Sequence, residues 1–250
     1  MKNTIRIFGF LTTFILPLPT FGDPIHVQVD YSEPWGYYQQ SVVNDSPERQ
    51  LKGIWIEIIR LFTDHTGIKF QTTIAPHARV LQNLKHGKID MSFQVRPEKD
   101  SENIIYITEM FAVQSIAVSI KSNPVFSYDD LFGKRIGIVR GKKISQKFDN
   151  DRSLFKQSFR NYSIIISMLF QKRLDVVVGD HVSIQYLMKT NNFSDNYSST
   201  FILRKSSIWL QLSVFSLSKD KMRNLIAANA LFKQRGDYKK IIESFVGYQM

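Results

Sequence analysis

The feature that most constrains this chain is an alternation of short apolar stretches with amphipathic ones, running from Ile25 to the C-terminus. Ile25-His26-Val27-Gln28-Val29 alternates with period two, as a half-buried strand does. Trp55, Ile58, Ile59 and Phe62 then recur at helical spacing, with Gly67 placed to end that helix. Residues 69–73 read as a second strand. Val80, Leu81 and Leu84 make a short helix closed by Gly87, and residues 91–95 are a third strand. A βαβαβ series calls for a parallel sheet with helices on its faces.

The series then starts again. Residues 114–120, 135–139 and 176–178 read as strands, and Ser163 is placed to cap a helix over 164–171. A helix over 182–189, strands near Phe201 and Leu212, and helices over about 220–235 and 238–245 complete the pattern. Residues 32–52 and 191–200 are rich in loop formers. No solenoid period or flexible linker separates the two series. The prediction is therefore an α/β protein of two lobes, each a mainly parallel sheet flanked by helices, with strands passing between them as a hinge. At 250 residues and 43% apolar content the chain can bury two small cores.

Residues 1–22 read as a secretory signal peptide. Lys2 and Arg6 precede an apolar stretch from Ile7 to Leu16, Pro17 and Pro19 break the helix, and Thr20 and Gly22 flank Phe21 with small side chains. Cleavage before Asp23 would remove two of the 33 basic residues and none of the 22 acidic ones. The mature protein is expected to be exported. The absence of cysteine excludes disulfides, thiolate metal sites and a cysteine nucleophile, and suits an oxidising compartment.

Five segments carry a resemblance. Gly53-Ile54-Trp55-Ile56-Glu57 opens a helix, and Gly87-Lys88-Ile89-Asp90 joins a helix to a strand. Asp130-Leu131-Phe132-Gly133-Lys134-Arg135-Ile136-Gly137-Ile138 follows a D-L-x-G-K-x-I-G-V pattern. Arg173 to Asp180 matches a G-x-x-D-A-V-x-x-D element, with Lys172 where a glycine is common. Phe232 to Ile241 matches L-x-x-x-G-x-Y-x-K-I. Together and in this order they resemble bacterial extracellular solute-binding proteins of family 3, the type II periplasmic binding proteins of amino-acid-type ABC importers. The resemblance implies a clamshell with lobe 1 formed by residues 23–112 plus 210–250 and lobe 2 by residues 113–209. It implies a small polar or charged, amino-acid-like ligand in the cleft, and delivery to the membrane subunits of an ABC importer by a monomer.

Such sites combine an aromatic platform with charged groups for each ligand charge. Tyr31, Glu33 and Trp35 fall within one short loop, where rings offer stacking surface at small entropic cost. Trp55 belongs to the helix core. In this family an arginine usually follows the third strand, and the matching position here is Ser101, which argues against an ordinary α-amino acid ligand. Arg96, at the end of that strand, and Arg79, after Ala75-Pro76-His77, are the compensating candidates. Arg140 lies in a Val139-Arg140-Gly141-Lys142 turn whose amides suit an anion. Asp180 would take an ammonium group or cap the next helix. Asp90 and Asp175 read as structural acids at strand starts.

No metal, cofactor or catalytic group is expected. The five histidines lack metal-ligand spacing, and no H-E-x-x-H, G-x-S-x-G, Walker or G-x-G-x-x-G pattern occurs. Between Lys121 and Arg160 ten basic residues face four acidic ones, interleaved with core strands, which favours attraction of an anion over nucleic-acid binding. The alternatives are an exported dehydratase or lyase on the same fold, with Glu33 or His77 as an acid, and a ligand-sensing or adhesion module.

Overall fold

The structure, a computed structural model, describes residues 23–43, 46–97, 99–193, 197–198, 200–216 and 218–247. The expected leader, residues 1–22, lies outside the described residues. In chain order the elements are β1 (Ile25–Asp30), β2 (Tyr37–Val43), β3 (Ser46–Lys52), α1 (Ile54–Thr66), β4 (Phe70–Ala75), α2 (His77–Lys85), β5 (Met91–Val95) and β6 (Ile104–Ser119). There follow β7 (Arg135–Val139), α3 (Gln146–Asn150), β8 (Phe155–Phe159), α4 (Tyr162–Phe170), β9 (Val176–Asp180), α5 (His181–Thr190), β10 (Phe201–Ser213), α6 (Lys219–Arg235) and α7 (Asp237–Val246).

Eight strands form one sheet in the order β4-β1-β5-β10-β6-β9-β7-β8. Each half contains three parallel strands, β4-β1-β5 and β9-β7-β8, and one long antiparallel strand. β10 pairs with β5 through Ile208 to Leu212, and β6 pairs with β9 through Ser115 to Ser119. Between those stretches Ala112, Val113 and Gln114 pair only with Ser207, Ser206 and Lys205, so a two-stranded ribbon joins the halves. Register shifts interrupt it between Ile202 and Arg204, Ile208 and Trp209, and Leu210 and Gln211. Bulges bend a ribbon and increase its twist, which suits a crossing between two bodies.

Each half buries apolar side chains on both faces of its sheet. In the first, α1, α6 and α7 pack Ile58, Phe62, Leu225, Phe232 and Ile242 against Val27 and Phe93, while α2 places Val80 and Leu84 on the other face. In the second, α4 and α5 cover one face with Ile165, Leu169 and Leu187, and Leu131, Ile144, Phe148 and Leu154 cover the other. Val182, from α5, joins the first half's core, so the two bodies touch.

The strands at 91–95 and 135–139 stand where the alternation puts them. The segment 32–52 is not only loop: β2 and β3 form a hairpin within it. The stretches read as separate strands near Phe201 and Leu212 are one strand, β10, and the strand expected over 114–120 starts at Ile104. Asn161, not Ser163, caps α4, its side chain accepting from the Ile164 amide at 3.0 Å. Asp90 and Asp175 do act at strand starts, accepting from the His26 and Arg135 amides at 2.8 Å each. Lys172 has a φ of 57°, which explains why a glycine suits that position. Lys172→Gly should stabilise the protein by about 1 kcal/mol in urea unfolding, by relieving left-handed strain on an exposed residue; a loss of stability would contradict this account.

Candidate functional site

The parallel strands of both halves run toward one seam. β1 ends at Asp30, β5 leads into Arg96, β7 leads through Gly141 into Lys142 and Lys143, and β9 ends at Asp180. Ligand crevices of α/β sheets lie beyond such carboxyl ends. A cavity of about 250 Å³ lies here, walled by Trp35, Trp55, Phe93, Val113 and Ile208 and by polar groups from both halves. At about 30 Å³ of liquid per water, that is room for roughly eight waters, the size class of an amino acid. A second hollow of about 470 Å³ lies between α1 and α7 on the outer face, remote from the strand ends.

Trp35 is fixed by the way its loop meets α1. The Ile54 and Trp55 amides donate to the Pro34 and Trp35 carbonyls at 2.9 Å each, so loop backbone satisfies two free amides of the helix start. Gly53 allows this crossing: its φ is 127°, and a Cβ there would stand 2.5 Å from the Trp35 carbonyl oxygen. The Trp35 ring stacks on Trp55 with centroids 4.8 Å apart. Its Nε1 donates across the seam to Asp180 Oδ2 at 2.6 Å.

Asp30 is the hub of the cavity's polar wall. Gln94 Nε2 donates to its Oδ1 at 2.7 Å, and its Oδ2 is 2.9 Å from His77 Nδ1. Lys142 Nζ, from the other half, donates to the same oxygen at 3.0 Å. Burial pushes the Asp30 carboxyl up, but the Lys142 charge and His77 outweigh it and hold the group far below its ordinary value. Burial likewise disfavours the Lys142 ammonium, and Asp30, Tyr162 and Asp180 reverse that and raise it. Asp180 caps α5 by accepting from the Ser183 amide at 2.8 Å, while its own amide donates to Tyr162 Oη at 2.9 Å. Burial pushes the Tyr162 phenol up to about 12. Ser32 and Ser183 Oγ atoms, 3.3 Å apart, add a third contact across the seam.

The structure brings Trp35, Arg96 and Asp180 to this cavity. Arg96 grips Asp100 through Nε and Nη2 at 2.9 and 2.7 Å and lies over the Tyr106 and Trp209 rings. Tyr31 is half exposed, and neither it nor Glu33 lines the cavity. Burial pushes the Glu33 carboxyl up. Arg79, on α2, and Arg140, in the β7 turn, are exposed and outside the lining. Ser101, the position of the family's arginine, does line it. Sequence reasoning missed Asp30, Lys142, Lys143, Arg204 and Gln211 as wall residues. Asp30 and Lys142 at strand ends carried the same positional signal as Arg96; Arg204 and Gln211, within β10, carried none. Gln211 Nε2 donates to the Gln94 carbonyl at 3.1 Å, and its buried Oε1 has no partner among the described residues. No three His, Asp or Glu side chains gather as a metal site among the described residues.

No family model and no curated protein matches the chain. Solved structures do. An ancestral arginine-binding protein bound to arginine is 20% identical over 90% of this chain and 99% of that one, with a TM-score of 0.72. An amino acid ABC transporter substrate-binding protein from Streptococcus pneumoniae, bound to L-arginine, is 18% identical over 90% and 94%, with a TM-score of 0.70. A histidine kinase sensor domain with similarity to periplasmic binding proteins is 15% identical over 90% and 97%, with a TM-score of 0.72. The chain therefore has the two-lobed fold of the periplasmic binding proteins.

Because the folded Asp30 carboxyl titrates below its ordinary value of 3.8, its stabilising effect is present above that pH and is lost as pH falls below it. Asp30→Asn should lower stability at pH 7 by on the order of 3 kcal/mol, since it strands a buried lysine. It should also flatten the acid-induced fall in stability below pH 4. Urea unfolding across pH 7 to 2 checks both; an unchanged acid profile would show that Asp30 is not the titrating hub.

Proposed function

We propose that this chain is an exported, monomeric solute-binding protein that captures a small polar or charged molecule of amino-acid size between its lobes and presents it to an ABC importer. The observation that carries this reading is the walled cavity at the convergent strand ends, bridged by side chains of both halves and spanned, among the described residues, by a ribbon of two strands. That arrangement suits hinge closure on a guest, with the closed form recognised by a membrane partner. The lobes are taken as residues 23–112 plus 210–250 and residues 113–209, a division the ribbon supports to within a few residues, since Ile208 and Trp209 still pair with β5. Trp35 and Arg96 are the proposed ligand contacts among the sequence candidates, with Asp180 holding Trp35 in the wall.

Export rests on residues 1–22 in their signal-peptide role and a periplasmic destination. No helix among the described residues is long and apolar enough to cross a membrane. A non-catalytic role is favoured by where the two candidate acids sit: His77 is committed to Asp30, and Glu33 is off the cavity wall. A sensory role has the support of the sensor domain's comparable likeness; the importer reading is preferred on the amino acid transporter components that share the fold.

A thermal-shift screen of amino acids, polyamines and organic acids tests this. A ligand present at about 100 times its Kd adds about 2.7 kcal/mol, which raises the melting temperature by roughly 5 to 10 °C for a chain of this size. The expected result is such a shift with the ligand recovered intact by mass spectrometry. Chemical conversion of the ligand would establish the lyase alternative, and silence across the panel with no copurifying small molecule would contradict the receptor reading.

A further inference from the structure

We propose that the cleft selects a small carboxylic acid with an apolar body and no ammonium group, because the protein places an ammonium of its own where the ligand's would go. This inference rests on the receptor reading above and specifies its ligand. Two carboxylates line the cavity among the described residues, Asp30 and Asp180. Both are occupied. Asp30 takes Lys142 Nζ, His77 and Gln94 at 3.0, 2.9 and 2.7 Å, and Asp180 Oδ2 takes Trp35 Nε1 and the Ser183 amide at 2.6 and 2.8 Å.

Lys142 reaches its partner across the seam, and both acids stabilise its charge. An incoming ammonium would have to share these acids with a like charge or expel a largely buried lysine. Either course costs desolvation or repulsion that a ligand lacking the ammonium avoids. The wall also carries surplus positive charge. Lys143 and the half-buried Arg204 line the cavity, and neither makes an ion pair among the described residues. A guanidinium facing a partly dry cavity without an acid calls for an anion, and its fork matches a carboxylate. Gln211 Oε1, the buried acceptor without a partner, is neutral and is satisfied by a hydroxyl or a water. The aromatic remainder of the wall suits an apolar body.

Isothermal titration calorimetry on the wild-type protein, with ligand pairs differing only in the α-ammonium, tests the inference directly. The pairs are 3-phenylpropanoate against L-phenylalanine and 4-methylpentanoate against L-leucine. At least one acid is expected to bind tenfold or more tightly than its amino acid, and Arg204→Gln is expected to weaken that acid at least tenfold. Lys142→Gln is expected to shift the preference at least tenfold toward the amino acid; if this variant fails to fold, the wild-type pairs decide alone. Equal or tighter binding of the amino acid in both pairs would overturn the inference and leave the receptor reading intact. Binding by no member of either pair would overturn it as well. The receptor reading would fall with it only if native mass spectrometry also found no small molecule retained on the purified protein.

Discussion

The antiparallel pairing of β6 with β10 is the constraint from which the rest follows. Each of these strands is long enough to finish the sheet of one half and enter the other, so the halves share backbone hydrogen bonds without a flexible linker. Because both cross at one place, the parallel strands of the two halves point their carboxyl ends at a common seam. The seam is where loops and helix starts converge, and where a sheet of this kind holds a guest. The bulges between Ile202 and Trp209 spread the bend over several residues.

Across that seam the electrostatics are specific. Asp30 and Lys142 lie 112 positions apart in sequence, and each offsets part of the cost of burying the other's charge. Trp35 serves twice, as an aromatic wall stacked on Trp55 and as a donor to Asp180. Asp180 also serves twice, capping α5 and receiving Trp35. Of the two sequence readings of Asp180, the helix cap is seen in the bond from the Ser183 amide, and the same oxygen accepts from Trp35, since a carboxylate oxygen has lone pairs for both donors.

Much of the fold was legible because the strands 91–95 and 135–139 are apolar runs bounded by turns, and because Gly67 and Gly236 end helices in the left-handed conformation. The long strands were not legible as units. Where they form the ribbon they carry Gln114, Lys205 and Ser206, which no core face demands, since a ribbon between two bodies is more solvated than a sheet centre. The site was legible only at strand ends. Trp35, Arg96 and Asp180 reach the cavity for positional reasons, while Arg79 and Arg140, chosen on similar grounds, are exposed and outside its lining. Arg204 and the partnership of Asp30 with Lys142 depend on register and on contacts between halves, which local pattern does not encode.

The central claim is that two bodies close about this ribbon. Ser32 and Ser183 face one another across the seam, Oγ to Oγ at 3.3 Å, in a chain with no cysteine. Ser32→Cys with Ser183→Cys therefore offers a reversible lock. Small-angle X-ray scattering of this double variant, stripped of small molecules by unfolding and refolding, should give a compact particle when oxidised and a larger radius of gyration when reduced. Identical scattering curves in the two states would show one rigid body and contradict the account.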